Sequence, residues 1–221
     1  MVLLIISFST FAVGFIARPL GGVVFGHFGD QVGRKRTLVI ALMMMGVATT
    51  LIGLLPTYQS IGIAAPLMLV ALRFIQGLAV GGQWGGAMLL VTESAPSDKR
   101  GWYGAYAQAG AAVGVILANL AFLAVSTSMS DEAFIDWGWR LPFSASIVLI
   151  GISLYVQLRM EDTEAFKALK AAQADSGEQA TVQKSPVLEA IRRYPRRIML
   201  AAGAFLSVQV TFYILIAFVI A

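Results

Sequence analysis

Apolar residues run along this chain in long unbroken stretches rather than in alternation with polar ones. Residues 1–17 and 19–29 carry no formal charge, and neither does the run from Thr37 to Leu72. As one helix that last run would reach roughly 54 Å at 1.5 Å per residue. The hydrocarbon core of a bilayer is only about 30 Å thick. The run is therefore read as two helices joined by the turn Pro56-Thr57-Tyr58-Gln59-Ser60. Gly101–Ser130, Leu141–Leu158 and Ile198–Ala221 supply three more charge-free runs. The pattern predicts an all-α transmembrane chain with six spans, over 2–28, 37–55, 65–93, 101–127, 138–159 and 198–221.

Charge sorts the connections between these spans. The 29–36 turn holds Arg34, Lys35 and Arg36, and the 94–100 turn holds Lys99 and Arg100. The 159–197 segment holds Arg159, Lys167, Lys170, Lys184, Arg192, Arg193, Arg196 and Arg197. The intervening turns hold no charge at 56–64, and only Asp131, Glu132 and Asp136 at 128–137. Thirteen of the 16 Lys+Arg thus stand on alternating turns. The positive-inside rule places 29–36, 94–100 and 159–197 in the cytoplasm of a multi-pass plasma (inner) membrane protein. Trp137 and Trp139 at an outer end, and Trp102 and Tyr103 at an inner end, suit the aromatic belts.

The first helix then starts outside and runs inward. No basic residue precedes it, which makes a secretory signal a poor reading. Phe218-Val219-Ile220-Ala221 ends without a polar exit, and the chain is expected to be a piece of a longer membrane protein. The polar segment 160–197 favours helix, broken around Ser176-Gly177 and Ser185-Pro186. It reads as a cytoplasmic linker between two bundles.

Composition narrows the classes. Of the 221 residues 58% are apolar and 13% charged, against roughly a quarter charged in soluble domains. The mean hydropathy is +0.78. A net charge of +4 is accounted for by the basic turns, so no nucleic-acid partner is expected. There is no cysteine, and His27 is the one histidine. A membrane enzyme would need a cluster of nucleophile, base or metal ligands, and Glu93 is the one acid near a span. No catalytic residue, metal or cofactor is expected.

Two arginines, Arg18 and Arg73, lie well inside spans. An intramembrane charge costs roughly 3 kcal/mol on insertion scales, so it usually faces protein or water. Arg73 shares a helix with Gln76 and Gln83, all on one narrow stripe. That stripe suits a carboxylate held through charge-assisted hydrogen bonds. An arginine tying helices together through backbone carbonyls is the other reading. Arg18 has Gly14, Gly21, Gly22 and Gly26 on its own face, which favours close helix packing over substrate contact. Gln108 and Asn119 share a face of the fifth span, and Gln209 and Tyr213 are i, i+4 on the last. They are candidates to line a cavity or to bond helices together. The spans 37–55 and 138–159 hold few polar groups and read as lipid-facing.

The stretch Gly26-His27-Phe28-Gly29-Asp30-Gln31-Val32-Gly33-Arg34-Lys35-Arg36 is a turn too short for ordinary backbone angles, which Gly29 and Gly33 are expected to supply. It lacks the Gly-Lys-Ser/Thr of a phosphate loop. Glu93, near Arg34 and Arg100 in the topology, is expected to join it in a gate of exchangeable ion pairs.

This stretch resembles the Gly-x-x-x-Asp-x-x-Gly-Arg-Lys signature between the second and third helices of the major facilitator superfamily. Arg73-Phe74-Ile75-Gln76-Gly77, and Glu93-Ser94-Ala95-Pro96 with Arg100-Gly101, resemble further signatures of it. Arg18-Pro19-Leu20-Gly21-Gly22, Gly81-Gly82-Gln83-Trp84-Gly85-Gly86 and Trp137-Gly138-Trp139-Arg140 are similar to the metabolite:proton symporter family, whose members carry osmoprotectants, α-ketoglutarate and shikimate. The resemblance implies two six-helix bundles that rock about a central cavity. The six spans would be the second to seventh of twelve. Residues 1–159 would be an N-terminal bundle lacking its first helix, 160–197 the linker, and 198–221 the first helix of the C-terminal bundle. It implies a secondary active transporter for a small carboxylate or betaine-like solute, with the proton as coupling ion. Arg73, Gln76, Gln83, Gln108, Arg18, Gln209 and Tyr213 would line the cavity. Gly26, Gly29, Asp30, Gly33, Arg34, Lys35, Glu93 and Arg100 would form the gate. The alternative is a non-transporting fragment with a structural or assembly role. Gln83 stands where the family commonly has Glu, a departure at the position of a proton-coupling acid.

Overall fold

Gly33 sets the first fold-defining turn. In the computed structural model a helix, α1, runs over Val2–Val32 and the next, α2, over Arg34–Leu54. Gly33 alone separates them, at φ 112°, a region costly for residues with a Cβ. Its N–H donates to Gly29 O at 3.2 Å, and its carbonyl accepts from Thr37 N at 3.1 Å and from the Thr37 hydroxyl at 2.9 Å. The expected eight-residue turn thus contracts to one residue. Gly29 does not serve as a second backbone hinge. It is buried within α1, where a Cβ would come to rest against the Thr37 side chain, 3.8 Å from its Oγ1.

The structure describes residues 2–159 and 192–220. Within them it does not describe the side chains of 2–9, 11, 30–32, 34, 107, 156–158, 212, 213 and 215–220. The chain divides into two compact units, Met1–Gly177 and Glu178–Ala221. Most of the predicted linker, 160–191, lies outside the described residues.

In the first unit α2 ends at Leu54, just before Pro56, and a short helix, α3 (Tyr58–Ile61), turns the chain. Gly62, at φ 60°, closes that turn. Then come α4 (Ala64–Ser94) and α5 (Arg100–Ser128). The fifth predicted span is broken. It starts with one turn, α6 (Asp131–Ala133), capped by the Ser130 hydroxyl, followed by a π-helical turn over Phe134–Gly138. It continues as α7 (Arg140–Ser144) and α8 (Ile147–Arg159). Pro142 has no N–H to offer the Gly138 carbonyl, and the wide turn falls at that point. The second unit holds α9 (Pro195–Ile220), with Pro195 at the first helical position, where no donor is needed. Among the described residues five segments are long and apolar enough to cross a membrane: Ala12–Gly29, Lys35–Leu54, Ala64–Ser94, Arg100–Ser128 and Asp131–Tyr155. The sixth predicted span falls on α9.

Packing shows the direction of each helix. Along α1 and α4, Gly14 meets Arg73 and Gly77, and Arg18 meets Gly81, so these helices run parallel. Leu38 lies near Gly86 and Thr49 near Gln76, so α2 runs against α4. Gly46 faces Ile150 and Gly53 faces Phe143, so α2 also runs against α7 and α8. Thr92 lies near Gly104, so α5 runs against α4 as well. This alternation brings the turns at 29–36 and 94–100 to one end of the unit.

The α1–α4 contact is backbone on backbone. A Cβ on Gly21 would strike the Leu78 carbonyl, one on Gly77 the Gly14 carbonyl, and one on Gly81 the Arg18 carbonyl. Lipid gives helices no hydrophobic reason to associate, so small residues that admit close approach carry the contact. Gly26 does not extend this face: nothing lies within 4 Å of its would-be Cβ.

The lipid-facing expectation for 37–55 needs correction. Ile40, Val47, Leu51 and Leu54 do form an exposed stripe, but Leu38, Val39, Ala41, Ala48 and Ile52 are buried among α4, α7, α8 and α1. The low polarity of α2 reflects enclosure on one side and exposure on the other. In α8 the expectation fits better: Ile147, Val148, Ile152 and Tyr155 are exposed.

Candidate functional site

Arg73 emerges on α4 directly beside the glycine contact, its carbonyl 3.4 Å from the position of a Gly14 Cβ. On the adjacent face α4 meets α2, and a polar chain crosses between them. Arg73 Nη1 donates to Gln76 Oε1 at 3.3 Å. Gln76 Nε2 donates to Thr49 Oγ1 at 2.7 Å. The Thr49 hydroxyl donates to Met45 O, one turn back, at 2.7 Å. Thr49 was not singled out in the sequence. The Thr49-Thr50 pair in an otherwise apolar span was the available signal, since a hydroxyl there can bond its own helix or reach another.

Three helices close a cavity of about 240 Å³ around this chain, lined by Arg18, Phe15, Met45, Arg73, Gln76 and Val80 among others. Arg18 and Arg73 therefore share one space, although the glycine face had assigned Arg18 to packing. Both roles fall on this residue: its carbonyl packs on Gly81, while its guanidinium lies over the Phe15 ring, 4.1 Å from the centroid. Among the described residues no acid lines this cavity.

Gln83 and Gln108 meet in a second cavity, of about 340 Å³, between α4 and α5. Trp84 and Val80 line it too, and Val80 also lines the first. The predicted stripe is thus divided into an arginine part and an amide part on one side of α4. Asn119 does not join it, bonding to Val115 O of its own helix at 2.8 Å. Gln209 is half-buried on α9, in the second unit, and the Tyr213 side chain lies outside the described residues. A larger hollow of about 350 Å³ between α2 and α4 has a wholly apolar lining, including Val39, Met43, Met44 and Ile75. It offers nothing to hold a polar solute.

Of the expected gate, Lys35 is half-buried in the first turn of α2, Glu93 half-buried in the last turn of α4, and Arg100 exposed at the start of α5. The side chains of Asp30 and Arg34 lie outside the described residues. At the opposite end Arg140 forms a clasp that sequence reasoning treated only as part of a motif. Its guanidinium donates to Leu55 O and to Asp136 O, each at 3.2 Å, and lies over Trp139. Phe143 meets both Trp139 and Phe122 edge-on, at 5.9 and 5.8 Å.

A helical unit with five described segments long and apolar enough to cross a bilayer, and with cationic and amide cavities along one helix, has the make-up of a membrane-embedded bundle. The chain belongs to the sugar (and other) transporter family of the major facilitator superfamily, which it matches over residues 2–199. It is 47% identical over 212 residues to the shikimate transporter of Escherichia coli strain K12, covering 96% of this chain and 47% of that protein. It is 35% identical over 218 residues to the proline/betaine transporter of the same strain, covering 97% of this chain and 43% of that protein. The chain therefore spans about half the length of the curated relatives it matches. Among solved structures, an inward open xylose transporter from E. coli superposes with a TM-score of 0.64 at 21% identity, over 74% of this chain and 39% of the other. A proton:xylose symporter bound to 6-bromo-6-deoxy-D-glucose gives 0.65 at 18%, over 75% and 37%. These likenesses concern the fold.

Proposed function

We propose that this chain carries a small organic anion or zwitterion across the membrane by alternating access, as part of a secondary active transporter. The observation behind this reading is that Arg18, Arg73 and Gln76 line one cavity. Two guanidiniums kept within the bilayer region are costly unless they serve a solute or a pairing role. A carboxylate entering there would meet N–H donors from Arg18, Arg73 and Gln76. Shikimate, proline and betaine, named for the relatives, all bear a carboxylate. The amide cavity at Gln83 and Gln108 would extend the path, and Gln209 and Tyr213 would be solute contacts of the second bundle in its own right. Residues 1–159 would belong to the first bundle, 160–197 would link the two in the cytoplasm, and 198–221 would open the second. The basic turns would face the cytoplasm of the inner membrane. There Gly26, Gly29, Asp30, Gly33, Arg34 and Lys35 would brace against Glu93 and Arg100 in one state and release in the other. The proton is the proposed coupling ion, as the resemblance to metabolite:proton symporters implies.

The test is uptake of labelled shikimate into vesicles holding the chain. Arg73→Ala should reduce uptake to background while insertion into the membrane is unchanged. Wild-type uptake by that variant would overturn the reading. The alternative reading is a membrane protein with a structural or assembly role and no transport. Absence of uptake by the wild-type chain would select it.

A further inference from the structure

Resting on the carboxylate reading above, the geometry points to Thr49 as a specificity-determining residue, whose hydroxyl orients the Gln76 amide so that the Arg73 cavity presents hydrogen-bond donors. Three bonds carry it: Arg73 Nη1 to Gln76 Oε1 at 3.3 Å, Gln76 Nε2 to Thr49 Oγ1 at 2.7 Å, and Thr49 Oγ1 to Met45 O at 2.7 Å. The two ends of the chain fix its direction. A guanidinium has only donors, and a backbone carbonyl only accepts. The Thr49 hydroxyl must therefore give its proton to Met45 and accept from Gln76. The amide must then turn its nitrogen to Thr49 and its oxygen to Arg73. The reverse orientation would set an amide N–H against the guanidinium, donor against donor.

The consequence lies in what remains for a ligand. The amide oxygen is drawn to Arg73, which leaves the second N–H of Gln76 as the amide's remaining group on a wall lined also by Arg18 and Arg73. Such a wall pairs with a carboxylate, which only accepts, and discriminates against a carboxamide, which must also donate, and an ammonium, which only donates. Thr49 touches the cavity only through Gln76, so it is a positioning residue.

Thr49→Val keeps the β-branched shape and removes the hydroxyl. The amide is then able to turn its oxygen toward the ligand. Thr49→Ser keeps the hydroxyl. The full chain, in lipid nanodiscs, is titrated with shikimate and with its carboxamide. In Thr49→Val the preference for carboxylate over carboxamide should fall about tenfold, the worth of one such hydrogen bond. In Thr49→Ser the preference should be retained. Equal weakening of both probes, with the ratio unchanged, would mean a purely structural role and would overturn the proposal. If the wild-type chain binds neither probe, the carboxylate reading fails by itself. The orienting bond is then judged from the side-chain amide resonance of Gln76, assigned through its loss in Gln76→Leu. One amide proton should exchange slowly in the wild type and in Thr49→Ser, and rapidly in Thr49→Val. Equal exchange in the wild type and Thr49→Val would overturn the proposal.

Discussion

Helix α4 is held on two sides by two kinds of contact. Against α1 it lays bare backbone on backbone: Gly77, Leu78 and Gly81 press on the main chain of Gly14, Arg18 and Gly21. Against α2 it uses side chains, and the bond from Gln76 to Thr49 crosses the gap. The first contact has no rotamers to adjust and tolerates no added atom. The second can exchange its partners without moving a helix. Arg73 stands where the two meet, with its carbonyl on the rigid side and its guanidinium on the adjustable one. The proposed binding group is thereby fixed at its backbone, while its bond to Gln76 lies on the adjustable side. Specificity is best sought in the α2–α4 contact and structural integrity in the α1–α4 contact.

The sharpest way to break this comparison is one substitution made twice on one helix. Gly81→Ala would place its Cβ against the Arg18 carbonyl and within 2.8 Å of Gly22 N, both backbone atoms that no rotamer change can move. Gly85, one turn on, has nothing within 4 Å of the same position. Gly81→Ala should destabilise the unit by about 3 kcal/mol, at the upper end for overpacking. Gly85→Ala should be neutral or stabilising by up to about 1 kcal/mol, through helix propensity. Thermal melting in detergent, followed by loss of monodisperse protein, compares the two. Equal midpoints would show that the α1–α4 contact can open, and the division between rigid and adjustable sides would fall.

This distinction also marks how far the sequence could be read. Spans were legible because apolar length against bilayer thickness is a one-dimensional quantity, and α2, α4, α5 and α9 fall within about three residues of their expected limits at either end. Arg73 with Gln76 was legible because three residues along a helix is a local relation. Thr49 was not, since its partner lies 27 positions away and only the packing of α2 on α4 joins them. The same limit applied to Arg18. Helical phase showed glycines on its face, but not that its guanidinium would reach a shared cavity with Arg73. Gly29 and Gly26 show the converse. Glycine content suggested backbone freedom, whereas one packs under Thr37 and the other faces open space.

A smaller effect is expected at the far end of α2, where both kinds of contact occur together. Gly53 lets the Arg140 carbonyl and Phe143 approach, and the Arg140 guanidinium spans to Leu55 O. Arg140→Leu removes the side-chain clasp and leaves the glycine contact whole. The expected loss is about 1–2 kcal/mol, the range for one interhelical polar contact in a membrane protein. Steric-trapping or melting measurements of Arg140→Leu against Gly53→Val separate the two. A loss for Arg140→Leu as large as that for Gly53→Val would mean that side-chain clasps carry as much as close backbone approach.

The smallest effect should come from Asn119, which on helical phase shares a face with Gln108. The two nevertheless sit in different surroundings. Gln108 lines the amide cavity against α4. Asn119 lies about three turns farther along α5 and gives its amide N–H to Val115 O of its own helix. A bond within one helix neither joins elements nor offers a donor to a solute. Asn119→Leu should therefore change stability by no more than about 0.5 kcal/mol, as at other exposed positions that join no second helix, and leave uptake unaltered. Gln108→Leu should lower uptake at equal protein level. If Asn119→Leu proves as damaging as Gln108→Leu, the polar face of α5 acts along its whole length. The cavity would then continue past the arginine and amide parts described along α4, and the adjustable side of the bundle would include α5 as well as α2.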